Sequence, residues 1–191
     1  MNAPDTRLIL IKHALPEVVP GKPPSSWLLS EAGKKSCRPL AERLRGYGPQ
    51  VVVTSTEPKA NETGLRMSSV LGLPFESAPD LHETKRETVD YYSMADEWHA
   101  RVSEFFSRPD ELVLGEETAN QATARFTNAV DAVLERNPER TVAIVCHGTV
   151  ISLYAASLTG IDPFPLWERL GMPSFVVMAP DEIVEVVERV S

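Results

Sequence analysis

Two histidines follow short apolar runs far apart in the chain: His13 after LILIK (8–12) and His147 after TVAIVC (141–146). A third run, VVVT (51–54), leads into Ser55, with Lys59 just beyond, and Lys12 directly precedes His13. Glu83 follows a short segment near Phe75. Ligands of open α/β sheets gather beyond the carboxyl ends of the strands. Read as adjacent parallel strands, the three runs deliver two imidazoles and two ammonium groups to one edge, within reach of one carboxylate. That set suits attack on an anion whose charge spreads over phosphoryl oxygens. A neutral imidazole is a competent nucleophile, surrounding cations stabilise the equatorial oxygens, and a carboxylic acid can protonate the leaving oxygen. The helix expected after His147 adds backbone N–H groups facing the anion. Ser55 and Arg86 are further candidates for substrate contact.

The elements that must position these groups are legible from pattern. LILIK, VVVT and TVAIVC read as buried parallel strands. Ser30 is an N-cap for a helix carrying Leu40 and Leu44, which Pro39 is expected to kink or split. Pro58 suits the first turn of the next helix, whose Ala60, Gly64, Met67 and Leu71 follow helical spacing. A long helix spans about Thr118 to Arg136, with Ala122, Phe126, Val130 and Val133 in its core stripe. A helix from about Thr149 to Leu158 and two late strands, Phe175–Met178 and Ile183–Val187, complete the set. Strands alternating with helices define the α/β class, a three-layer α/β/α sandwich around a mainly parallel sheet. Residues 1–191 are read as one domain, with 84–116, the least patterned stretch, as a substrate lid or insertion.

Composition narrows the partners. Hydrophobic content of 42% and charged content of 24% are ordinary for a globular chain. A formal net charge of −8 argues against a nucleic-acid partner, which needs a basic stripe; a few inward cations still make a local site for a small anion. No apolar run reaches the roughly 20 residues of a membrane span, and residues 1–7 lack the basic start and long apolar core expected of a signal peptide. A cytoplasmic location is therefore expected. Two cysteines, Cys37 and Cys146, form neither a disulfide framework nor a metal motif, and Cys146 closes an apolar strand as an inert thiol.

The motifs carry a resemblance as well. LILIKHA, LSEAGKK, VVVTSTEPKANETG, LHET and VAIVCHGTVI, in that order and over nearly the whole chain, resemble the histidine phosphatase superfamily, the phosphoglycerate-mutase-like proteins. The resemblance implies that His13 is phosphorylated, that Lys12, Lys59 and His147 hold the phosphoryl group, and that Glu83 donates a proton and then activates water. It implies no metal or cofactor. Lys12 and Lys59 stand where the family pattern has arginine, and Ala14 where it has glycine. Lysine offers a point charge in place of a planar fork.

The expected function is removal of phosphate from a small phosphomonoester. The alternatives are a phosphoglycerate-type mutase, a protein-phosphohistidine phosphatase, and a catalytically weak phosphate-binding or scaffold domain. A metallohydrolase using His13, His147 and Glu83 is disfavoured by the adjoining lysines. The expected partner is a small phosphorylated substrate, and self-association as a homodimer is left open.

Overall fold

The computed structural model describes residues 8–88, 95–180 and 182–190. Six strands, β1 (Leu8–Lys12), β2 (Val51–Thr54), β3 (Phe75–Ser77), β4 (Val142–Cys146), β5 (Ser174–Ala179) and β6 (Glu182–Val187), form one sheet in the order β3-β2-β4-β1-β5-β6. The first four in that order run parallel; β5 is antiparallel to β1 and closes a hairpin with β6.

Successive side chains of a strand point to opposite faces, and here both faces are covered. Leu8, Leu10, Val53, Ile144 and Cys146 join one core cluster with Phe126, Val130, Ile151 and Tyr154. Ile9, Ile11, Val52, Ala143 and Val145 join another with Leu40, Leu44, Ala60 and Met67. The helices α1 (Glu31–Leu44) and α2 (Pro58–Leu71) thus cover one face, α4 (Ala119–Arg136) and α5 (Gly148–Thr159) the other. This is why the strands read as continuous apolar runs rather than alternating ones. Each fully buried aliphatic side chain contributes about 1.5–3 kcal/mol.

The helix termini follow the sequence signals. Ser30 Oγ accepts the Gly33 N–H, and Thr118 and Gln121 form a reciprocal capping box on α4. Pro39 does not split α1, which runs unbroken through it. The lost N–H bond is outweighed locally by Leu40, Ala41 and Leu44, all fully buried beyond the proline. A short helix the pattern had not revealed, α6 (Pro163–Arg169), starts at the Asp162 cap.

Within 84–116, the helix α3 (Ala95–Ser107) packs Val102 and Phe105 into a separate cluster with Leu114, Ala122, Leu153 and Trp167. Tyr91 and Tyr92, aromatics whose place in this stretch suggests either a substrate pocket or lid packing, lie outside the described residues. Trp27 is buried and donates its Nε1–H to Lys22 O at 3.1 Å, a loop-packing role. His99 is exposed beside Trp167 and Glu168. No helix among the described residues is long and apolar enough to cross a membrane.

Candidate active site

The register of three neighbouring strands assembles the site. Lys12 pairs with Cys146 across β1 and β4, so the residues one step beyond, His13 and His147, leave the sheet side by side. Their ring centroids are 5.2 Å apart with the planes at 65°. On the other flank of β4, Thr54 pairs with Val145, bringing Ser55 Oγ to 3.0 Å from His147 Nε2. Residues 13, 55 and 147, read from sequence as converging at one strand edge, do so.

The hydrogen bonds fix the ring protons. His13 Nδ1 lies 2.8 Å from Ala14 O. A carbonyl only accepts, so Nδ1 carries the proton and Nε2 of the neutral ring keeps its lone pair. Burial first, then the charges of His147 and Lys59, push the His13 pKa well below its ordinary value, so the ring is neutral at physiological pH. Ser55 Oγ accepts the Glu57 N–H at 3.2 Å, which leaves its own proton to donate to His147 Nε2. His147 then holds its proton on Nδ1, a buried atom with no partner among the described residues. Burial, followed by Lys59 and Arg86, likewise lowers the His147 pKa well below its ordinary value.

The lysines reach the same edge, but each is already engaged. Lys12 Nζ donates to Leu170 O at 2.6 Å, and burial lowers its pKa to about 8, with Glu83 opposing and Arg86 adding to the effect. The backbone of Gly148 makes room for it: a Cβ there would meet Lys12 Cε and Nζ at 3.1 Å. Lys59, buried, donates to Pro24 O at 2.7 Å and pairs with Glu57. Glu57 escaped the sequence reading. Its Oε1 accepts the Glu83 N–H at 2.8 Å and lies 3.5 Å from His147 Nε2. The signal was present as a carboxylate and a lysine flanking Pro58 at a buried strand end.

Glu83 arrives on a clamped loop. Its Oε1 accepts the Thr84 N–H at 3.0 Å, and Oε2 the Thr149 N–H at 3.2 Å. One N–H at the start of α5, expected to face the anion, is thus taken by Glu83. Arg125, on α4, grips Glu117 with Nε at 2.8 Å and Nη2 at 2.7 Å. The same guanidinium donates to the carbonyls of Asp80, His82 and Glu83. Glu117 accepts the Lys85 N–H at 3.2 Å, and Glu116 those of Glu87 and Thr88 at 2.9 Å each. Gly115, at φ +86°, allows the close approach: a Cβ there would lie 2.3 Å from Lys85 O.

A cleft of about 320 Å³ reaches the Glu57, Lys59 and Glu83 side of this site, lined also by Pro24, His82, Thr84 and Arg86. Buried polar atoms normally find partners. Six such side-chain atoms lack one among the described residues: those of Thr84, Arg86, Thr127, His147, Thr149 and Ser174. All but Thr127 belong to this neighbourhood, Ser174 through its pairing with Lys12 on β5. Each of these five atoms carries a hydrogen that needs an acceptor, and the oxygens of a tetrahedral oxyanion are acceptors. Among the described residues no three of His, Cys, Asp and Glu are arranged to hold a metal ion.

Fold and site together define a class: the chain belongs to the histidine phosphatase superfamily (branch 1), whose sequence model matches residues 11–187. That class is one of phosphatases, which are hydrolases. Among individual relatives, a Bacillus subtilis protein named uncharacterized phosphatase PhoE is 27% identical over 135 residues, 71% of this chain and 66% of that protein's length. The mycobacterial glucosyl-3-phosphoglycerate phosphatase superposes with a TM-score of 0.71 at 20% identity, over 90% of this chain and 89% of its own. A phosphoserine phosphatase from Entamoeba histolytica, solved as a mutant with phosphoserine, gives 0.75 at 15% identity, over 94% and 95%. These structural likenesses establish the shared α/β/α fold.

Proposed function

We propose that this protein is a metal-independent phosphohydrolase that removes phosphate from a small phosphomonoester through a phosphohistidine at His13. The observation that supports it is the neutral His13 ring, its Nδ1 proton tied to Ala14 O so that Nε2 is left unprotonated, packed against the His147 ring. In the first step Nε2 attacks phosphorus, the bond from phosphorus to the leaving oxygen breaks, and Glu83 supplies that oxygen's proton. In the second, water attacks phosphorus, the phosphorus–nitrogen bond breaks, and Glu83 takes back a proton. His147 donates from Nδ1 to a phosphoryl oxygen, Lys12 and Lys59 balance its charge, and Ser55 holds the His147 tautomer. Relatives named for action on glucosyl-3-phosphoglycerate and phosphoserine support a small phosphomonoester as substrate.

One observation favours a second reading, a phosphate-binding domain of low turnover: both lysine Nζ atoms already have internal partners. Turnover of 4-nitrophenyl phosphate separates the two. The hydrolase predicts release of nitrophenol that the His13→Ala variant loses; equal rates in both proteins would remove His13 from the reaction, and binding without turnover would favour the second reading.

A further inference from the structure

We propose that Arg86, from the loop after Glu83, is the guanidinium that grips the transferring phosphoryl group itself, rather than a residue that only lines the outer cleft. The inference deepens the phosphoryl-transfer reading of this site and rests on it for the identity of the anion.

A phosphoryl group presents three equatorial oxygens, and each lysine shares its donors with internal partners. Lys12 Nζ already directs one of its three N–H groups to Leu170 O, and Lys59 Nζ two of its three to Pro24 O and Glu57. Arg86 differs: its Nη1 is buried with no partner among the described residues. A buried, charged donor left unmet is expensive unless a ligand completes it. Its guanidinium lies with Cζ 4.5 Å above the Trp98 ring, which fixes the plane of the fork while leaving the N–H edge to face an oxyanion.

The placement points to phosphorus rather than to a distant part of the substrate. Arg86 lines the cleft with Lys59, Glu83 and Thr84. Its charge is felt at Lys12, which directly precedes His13, and at His147, beyond the neighbouring strand β4, though burial dominates both. Thr84 and Thr149, whose N–H groups bind the two oxygens of the Glu83 carboxylate, carry unpartnered hydroxyls that add donors beside it. The backbone that carries Arg86 is held by Glu117, Glu116 and the close contact at Gly115, so the fork is preorganised.

Binding of inorganic phosphate and orthovanadate, measured by calorimetry on the full chain, tests this without relying on turnover. Arg86→Ala is expected to weaken both anions by about ten- to hundredfold. Arg86→Lys should recover only part of the loss, because it keeps charge without the fork. Methylguanidinium added to Arg86→Ala should restore anion binding, which a merely structural role would not allow. Arg86→Gln, which keeps the stem against Trp98, serves if the alanine variant melts early. A folded Arg86→Gln or Arg86→Ala protein that binds both anions like the parent would overturn the proposal, as would a parent that binds neither. Arg86-dependent anion binding in a chain without turnover would support Arg86 while counting against the hydrolase.

Discussion

Glu57 and Lys59 form a buried ion pair inside the cleft, with Glu57 Oε1 also 3.5 Å from His147 Nε2. A carboxylate here competes with any phosphoryl oxygen for Lys59. Glu57→Gln is therefore expected to bind inorganic phosphate more tightly, about tenfold, by freeing that cation. It should also lose about 3 kcal/mol of stability without ligand, since a buried charge loses its partner. Urea unfolding with and without phosphate checks both parts. A variant with unchanged phosphate affinity would show that Lys59 does not serve the anion.

Lys12 sets an alkaline limit. Its pKa is lowered to about 8, chiefly by burial, so its charge in the free protein disappears as pH rises through that value. The kcat/KM for an aryl phosphate should fall above about pH 8, and Lys12→Arg should move that limb beyond about pH 10. Folding stability moves the other way. Between about 8 and the ordinary 10.5 the unfolded chain holds more protons, so stability rises with pH there. An unchanged alkaline limb in Lys12→Arg would assign it to another group.

The buried imidazoles set an acid limit on folding. His13 and His147 both titrate well below 6.5 when folded, so below that pH the unfolded chain takes up protons that the native state refuses. Stability should drop on acidification from pH 6.5, with each histidine adding a slope of up to about 1.4 kcal/mol per pH unit. Urea midpoints from pH 7 to 5 should fall less steeply in His13→Gln. Equal slopes would contradict a neutral buried His13.

Much of this site was legible because strand ends are legible. LILIK, VVVT and TVAIVC are apolar on both faces, so their boundaries mark where His13, Ser55 and His147 leave the sheet, and β1–β4–β2 adjacency does the rest. Glu57 was not legible. Pro58 marked a helix start and drew the eye to the cap, yet the Glu57 side chain caps nothing and turns inward to Lys59 and the Glu83 N–H. Pro39 misled for the converse reason, since packing beyond it outweighed a local propensity. The loop holding Glu83 and Arg86 has no periodicity at all. It is ordered by Arg125, some forty residues away in sequence, a contact that no local pattern announces.

That contact makes Arg125 a positioning residue. Arg125→Ala removes three bonds to loop carbonyls and leaves the buried Glu117 without its cation. A displaced Glu83 should lower kcat about a hundredfold with KM changed far less, because misplacement of about 1 Å costs on that order. Arg125→Lys should recover only part. A purely structural role would instead lower the melting temperature and leave kcat per folded molecule intact.

The most direct measurement is rapid quenching during turnover of a phosphate-labelled substrate, followed by mapping of the label by mass spectrometry. The expected result is acid-labile, alkali-stable label on His13, absent in His13→Ala. Label on Cys146 or on a serine, or turnover that proceeds with no covalent label at any quench time, would contradict His13 as the nucleophile.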